Sequence, residues 1–259
     1  MTEQGYTQFA LLLKNEHGLD LSLYKETQIK RRLLSYMSRH SIADFKGLVH
    51  YIASADKRNH LVDYLDINVS EFFRNPELFA YLEQQVFPRL TAKQKSLSIW
   101  SAGCSIGAEP YSLAIALAET RVTLRRGIWA TDLDAGALHQ AAQGLYSLAD
   151  VRNVSSVRRE RYFEQENGNL RVKPELKAMV EFARHDLLRD HVAQGFDLIV
   201  CRNVAIYFTE DAKLTMLERF THSLLPGGVL FVGATESYPY HRNFGLRRIH
   251  SCFFAKVGD

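Results

Sequence analysis

Over the first ninety or so residues apolar positions recur at helical spacing, with little of the alternation that marks a strand. After a Gly-Leu-Asp turn at Gly18, Leu23 to His40 reads as one long helix. Ile29, Leu33, Tyr36 and Met37 share one of its faces, and Lys25, Gln28, Arg31, Arg32, Ser35 and Arg39 fall on the opposite arc. Ser41 followed by Asp44 reads as a capping box that starts a third helix through about Ala53, and a fourth runs from about Asn59 to Leu65. Ile67 to Phe79 is mixed: polar Asn68, Ser70 and Arg74 interleave with Phe72 and Phe73. Asn75-Pro76-Glu77 then supplies a cap, a first-turn proline and an acid for a further helix.

From Leu97 the pattern changes. An apolar run to Trp100 breaks into a small-residue loop with Gly103, Ser105 and Gly107, and Pro110 opens a helical segment. Glycine accepts positive φ and lets a ligand approach the backbone closely, so strand, glycine loop and helix together outline a nucleotide cradle. Gly127 to Thr131 is a second strand ending at Asp132-Leu133-Asp134, followed by a helix from Ala135 to Gln143. An acid at the end of the second strand of a βαβ unit is placed to bind a ribose, and capping the next helix is the alternative use of Asp132. Arg161 to Phe182 carries the signature of a hairpin turning at Asn167-Gly168, an insertion into the α/β alternation. The main sheet resumes with Val180 to Ala183, ending at His185-Asp186-Leu187. Phe196 to Val200 is apolar almost throughout, as a strand covered on both faces requires, and it delivers Cys201-Arg202-Asn203 to the carboxyl edge where ligands of such sheets bind. Asp211 to Leu224 reads as a helix, Pro226-Gly227-Gly228 as a sharp turn, Val229 to Val232 as a strand, and the C-terminal stretches as a final strand pair.

Composition narrows the classes. The chain has 259 residues, 46% hydrophobic, enough for one large domain or two. Its net charge of +3 creates no global field demanding nucleic acid or a membrane surface, so any anionic partner must be met locally. The basic arc supplies one such place: residues 21–40 hold five basic side chains against the single acid Glu26. Cys104, Cys201 and Cys252 are too few and too scattered for a disulfide framework or a zinc site, and no metal centre is expected. The polar start lacks an apolar leader, and no apolar run reaches the roughly 18 residues of a membrane span, so a soluble cytoplasmic protein is expected.

Five segments, NVSEFFRNPELF, WSAGCSIGAEPYSLA, ATDLD, FDLIVCRNVAIYF and LLPGGVLFVGATES, occur in an order and spacing that resemble the bacterial chemotaxis receptor methyltransferases. The resemblance covers nearly the whole chain. It implies an α/β fold: a Rossmann-like S-adenosylmethionine-dependent methyltransferase domain with a small β-hairpin insertion, preceded by an all-α N-terminal domain. The boundaries expected are 1–66 for the helical domain, 67–90 for a linker touching the cofactor and 91–259 for the methyltransferase domain, with the insertion at about 161–182. It further implies transfer of a methyl group to glutamate side chains on the cytoplasmic helical domain of chemotaxis receptors, by a monomer that neither binds nucleic acid nor inserts into the membrane. Positions corresponding to Asn68, Ser70, Arg74, Gly103, Glu109, Asp132, Asp186, Leu187, Arg202 and Asn203 line the cofactor site in that family, and Arg74 and Tyr207 correspond to positions important for catalysis. Ile106, Ala108 and Asp186 depart from the family's usual Thr, Glu and Asn.

The chemistry so implied asks little of the protein. A glutamate carboxylate, with a reference pKa of about 4.3, is already ionised near neutral pH and needs no general base. Positioning is the task, and an aromatic ring such as Tyr207 can favour a sulfonium through its π face. The helical, acidic character of receptor methylation segments makes the strip of Lys25, Arg31, Arg32 and Arg39 a complementary substrate surface. Two rivals remain: a nucleic-acid methyltransferase, whose usual proline-bearing corner after the fourth strand is absent from CRNVAIYF, and a non-catalytic module that binds the cofactor as a sensor.

Overall fold

The computed structural model describes residues 3–17, 20–65, 70–92 and 95–258. By its contacts the chain divides into two units, Met1–Asn68 with Tyr207–Leu214, and Val69–Ile206 with Thr215–Asp259.

The first unit is built from helices Glu3–His17, Glu26–Arg39, Phe45–Tyr51 and Ala55–Leu65. The stripe read from the sequence is its core seam: Ile29, Leu33, Tyr36 and Met37 are buried against Phe9, Leu13, Leu48 and Leu61. Full burial of one such side chain contributes about 1.5–3 kcal/mol, which is why the 3.6-residue period decides the helix's orientation. The long helix starts at Glu26 rather than Leu23, because Leu21–Leu23 forms a 3-10 turn capped by Asp20, whose carboxylate accepts from Ser22 N–H at 3.1 Å. Gly18 and Leu19 of the expected turn lie outside the described residues. The third helix begins at Phe45, so its cap is Asp44 alone, accepting from Gly47 N–H at 2.7 Å. Ser41 is too early to cap it and instead turns the chain at a left-handed φ of 55°. Residues Tyr207–Leu214 join this unit through the backbone: Lys25 N–H donates to Tyr207 C=O at 2.8 Å and Thr209 N–H to Leu23 C=O at 2.9 Å.

In the second unit a seven-stranded sheet has the order Leu246–His250, Phe253–Lys256, Leu224–Val232, Phe196–Cys201, Ile99–Ala102, Ile128–Asp132, Val180–Arg184. The last five strands in that order run parallel, and the C-terminal pair joins antiparallel. The Ile99–Ala102 and Phe196–Cys201 strands are buried along their whole length. The chain moves outward from Ile99–Ala102 in one direction, then returns to lay Phe196–Cys201 on its other side. That reversal is the switch point at which sheets of this kind bind ligands.

Two expectations change in detail. Pro226-Gly227-Gly228 is no turn between elements but a bulge inside the Leu224–Val232 strand. Pairing moves from Leu224↔Phe196 to Val229↔Leu198, and Gly227 takes the extra length at φ 80°. The insertion is a three-stranded antiparallel sheet, because Leu145–Tyr146 pairs with Asn169–Val172 beside the Phe163–Glu166 strand. Its Asn167-Gly168 turn has both residues at positive φ, as a tight hairpin of this hand needs. Among the described residues no helix is long and apolar enough to cross a membrane, and no group of three or more His, Cys, Asp or Glu could hold a metal ion.

Candidate active site

The glycine loop at the end of Ile99–Ala102 is tied across to the neighbouring strand. Gly103 and Cys104 both donate their N–H to Thr131 C=O, at 2.8 and 2.9 Å, and Ser105 N–H donates to Asp132 Oδ2 at 2.7 Å. A Cβ on Gly103, at φ 79°, would stand 2.4 Å from Val204 Cγ2, so only glycine lets these two edge loops approach. Gly107, at φ 87°, opens the helix Ala108–Thr120, whose first residue Ala108 is fully buried and whose first-turn acid is Glu109. Ile106 presents its carbonyl to the Tyr146 hydroxyl at 2.6 Å, so the loop is also anchored to the strand Leu145–Tyr146.

Asp132 is not a helix cap. Asp134 performs that task for Ala135–Gln143, accepting from Ala137 N–H at 2.9 Å. Asp132 instead accepts from Ser105 and, at 3.0 Å through Oδ1, from Asp134 N–H. Burial raises its pKa, and the backbone donors oppose that rise. Each carboxylate oxygen carries two acceptor sites, so both retain capacity for the hydroxyl pair of a ribose.

Glu109 accepts from the Ser101 hydroxyl at 2.8 Å and has Arg202 Nη1 3.9 Å from its other oxygen. Burial pushes its pKa up to about 7, against the pull of Arg202, the Ser101 hydroxyl and Arg74. Arg202 is itself buried, over the rings of Phe231 at 4.8 Å and Phe79 at 5.5 Å. Its Nη2 donates to Arg74 C=O at 2.6 Å and to Asn75 Oδ1 at 2.9 Å. Asn75 therefore does not cap the helix Pro76–Tyr81; it sits at φ 59° with its side chain on the guanidinium. A bond to a buried cation outweighs one to an exposed helix amide, since charge-assisted bonds are about twice as strong. Arg74 lies between two residues of left-handed backbone, Phe73 at φ 49° and Asn75 at φ 59°. That strained turn is held by Phe73 N–H donating to the Ser112 hydroxyl at 2.9 Å and by Arg158 lying 4.3 Å above the Phe73 ring.

Three acids converge on this edge. Glu236, Glu109 and Asp132 each add to the burial that raises the Cys201 thiol well above its ordinary pKa, and Asp132 and Glu109 do the same to Cys104. Both thiols are buried and protonated, so neither is a nucleophile. Two buried polar atoms in adjacent residues have no hydrogen-bond partner, the acceptor Asn203 Oδ1 and the donor Arg202 Nε. An orphaned buried donor or acceptor costs about 1–3 kcal/mol, and one of each side by side complements the ammonium and carboxylate of an amino-acid group. Carboxylates gathered nearby favour a further positive charge. The residues thus fit S-adenosylmethionine, which joins an amino-acid end, a sulfonium and a nucleoside.

The remaining sequence-derived positions divide. Asp186 turns its Oδ1 to Leu188 N–H at 2.8 Å, Leu187 is buried beside it, and Ser70 is half-buried, whereas Asn68 lies outside the described residues. Tyr207 belongs to the first unit. Of the basic arc, Arg31 and Arg39 are exposed and Lys25 is half-buried. Arg32 is not a free member of the strip: it donates to Tyr64 C=O and lies over the Tyr64 ring, which Arg39 also faces at 5.3 Å. Read from the sequence, Glu236 has no role and Asn75 only that of a helix cap. The signal for Glu236 was an acid just past the apolar run LFVGAT, the same strand-end placement that singled out Asp132.

Comparison with known proteins agrees with this geometry. Residues 4–65 match the family model described as CheR methyltransferase, all-alpha domain, and residues 68–251 match CheR methyltransferase, SAM binding domain. A chemotaxis protein methyltransferase of Listeria innocua is 40% identical over 98% of both chains. Proteins of the same description from Pseudomonas aeruginosa, 37% identical over 88% of both chains, and Vibrio parahaemolyticus, 32% identical over 92% of this chain and 90% of that one, are also similar. With a switch-point site that fits S-adenosylmethionine and both halves matched, the chain belongs to the CheR methyltransferase family and uses S-adenosylmethionine as its cofactor.

Proposed function

We propose that this protein transfers the methyl group of S-adenosylmethionine to glutamate side chains in the cytoplasmic helical domain of chemotaxis receptors, forming methyl esters in sensory adaptation, and that it acts as a cytoplasmic monomer. The similarity to the Listeria innocua chemotaxis protein methyltransferase along 98% of both chains carries this reading. The bound cofactor supplies a methyl group activated by attachment to a sulfonium. The chain's own residues bind and orient. Asp132 takes the ribose, Asp186 and Leu187 the base, and Arg202 and Asn203 the amino-acid end. Gly103, Glu109 and Ser70 complete the lining, and a cofactor contact for Asn68 rests on the family resemblance alone. Arg74 holds a carboxylate of cofactor or acceptor, and a catalytic role for Tyr207 rests on that resemblance alone. Because the acceptor is already ionised, no side chain has to remove a proton. Holding the reacting groups in line can contribute roughly 7–11 kcal/mol.

Incubation with methyl-labelled cofactor and a receptor cytoplasmic fragment should yield base-labile label on the fragment and none on RNA or DNA. Cofactor binding without label on any acceptor would instead identify a sensor module. Asp132→Ala is expected to weaken cofactor binding by about 1.5–3 kcal/mol, the range for a hydrogen bond to a charged group. Calorimetry on the folded variant checks this, and unchanged affinity removes Asp132 from the site.

Substrate recognition is assigned to Lys25, Arg31, Arg32 and Arg39. The exposed pair gives the cleaner test, because Arg32 also anchors Tyr64. Arg31→Glu with Arg39→Glu should sharply lower receptor methylation at low salt and leave cofactor affinity unchanged. Wild-type activity should fall as salt rises, since exposed charges are screened over about 8–10 Å. A wild-type methylation rate in the double variant at low salt would reduce the strip to a solvated face.

A further inference from the structure

Glu236 is assigned no contact with the cofactor above, yet each of its carboxylate oxygens accepts from a backbone amide. Its Oε2 accepts from Gly233 N–H at 2.7 Å and its Oε1 from Ala205 N–H at 2.9 Å. Gly233 follows the strand Leu224–Val232, and Ala205 closes the short loop that leaves the parallel strand Phe196–Cys201. These strands are last paired at Val232↔Cys201, so one carboxylate joins their two exit loops beyond the final rung of the ladder. The approach is close: a Cβ on Gly233 would lie 2.8 Å from Asn203 N and 2.9 Å from Glu236 Oε2. Within the clamped loop Asn203 holds a left-handed φ of 63°. Asparagine tolerates that conformation better than most residues, and the clamped loop fixes it there. Burial raises the pKa of Glu236, and the amides of Gly233, Asn203 and Ala205 together with Arg202 pull it back.

We propose that Glu236 is a positioning residue for the cofactor, a two-point clamp on the Ala205 and Gly233 amides that holds Arg202 and Asn203 in their binding conformation. This rests on the reading of Arg202 and Asn203 as contacts to the amino-acid end. A merely space-filling role would survive Glu236→Gln, which keeps the volume. A clamp would not, because the carboxamide offers one acceptor oxygen and turns an N–H₂ toward a backbone N–H.

In Glu236→Gln the dissociation constant for S-adenosylhomocysteine and the KM for S-adenosylmethionine should both rise about tenfold, as loss of a charged hydrogen bond implies, with the KM for the acceptor unchanged. Amide hydrogen exchange at Ala205 should quicken in the absence of ligand while the thermal midpoint stays within a few degrees. The binding measurement needs no acceptor, so an error about receptor glutamates does not touch it. Wild-type affinity and wild-type exchange in Glu236→Gln would overturn the proposal at Glu236 itself. Faster exchange with wild-type affinity in both Glu236→Gln and Asn203→Ala would overturn it through the reading of Asn203.

Discussion

Arg202→Met is expected to destabilise the protein by about 3–5 kcal/mol, the cost of removing one partner from a buried charged network. The guanidinium is only 2% exposed and answers two acceptors, Arg74 C=O and Asn75 Oδ1, with Glu109 at 3.9 Å. Methionine keeps an apolar stem but loses the guanidinium over the Phe231 and Phe79 rings, so the loss reports those ring contacts together with the polar partners. Those partners cannot turn to water without opening the turn that carries Arg74, where Phe73 and Asn75 already hold left-handed backbone. Urea unfolding measures the loss. Adding Glu109→Gln to Arg202→Met should recover part of it, because the acid stranded by the first change is then neutral. A cost within 1 kcal/mol for Arg202→Met would mean that the network does not hold this edge together.

Glu109 gives the second large effect, read through pH. Its carboxyl titrates near the reference value in the unfolded chain and at about 7 in the folded one, chiefly because of burial. Between those values the folded state binds more protons, so stability is greatest below the unfolded pKa and falls as pH rises through the folded pKa. A displacement of this size corresponds to about 3 kcal/mol at 1.36 kcal/mol per unit. Subtracting the pH profile of Glu109→Gln from that of the wild type should isolate the fall between about pH 4.5 and 7.5, with a plateau above it. A cationic ligand favours the ionised acid, so cofactor affinity should rise with pH across the same window in the wild type and not in Glu109→Gln. A flat stability difference across the range would show that the acid titrates as if exposed.

These two residues mark where reading the sequence stopped. Arg202 was legible at a ligand-binding edge from its place after an apolar strand, whereas Glu109 was named through the family resemblance alone. Nothing local told that Arg202 would be enclosed, because its acceptors lie 127 and 128 residues away. Asn75 stood directly before a first-turn proline, the strongest local reason to expect a cap, and was diverted by that distant cation. Pro226-Gly227-Gly228 carried every mark of a turn, yet pairing on both sides with Phe196–Cys201 kept the strand running through it.

What the sequence determined by itself was set by short-range physics. The buried stripe of Glu26–Arg39 follows from helical period, the bounds of Ala135–Gln143 from the Asp134 cap and the following glycine, and the hairpin from Asn167-Gly168, since each depends on residues a few positions apart. The tertiary structure decided which polar groups meet. It set three carboxylates around Cys201, closed the Ala205–Gly233 clamp with Glu236, tied Arg32 to Tyr64, and grouped Tyr207 with the helical unit. Hydrogen bonds and charges act over a few ångströms of space, and only the order of strands in the sheet determines which distant stretches of chain come within that reach.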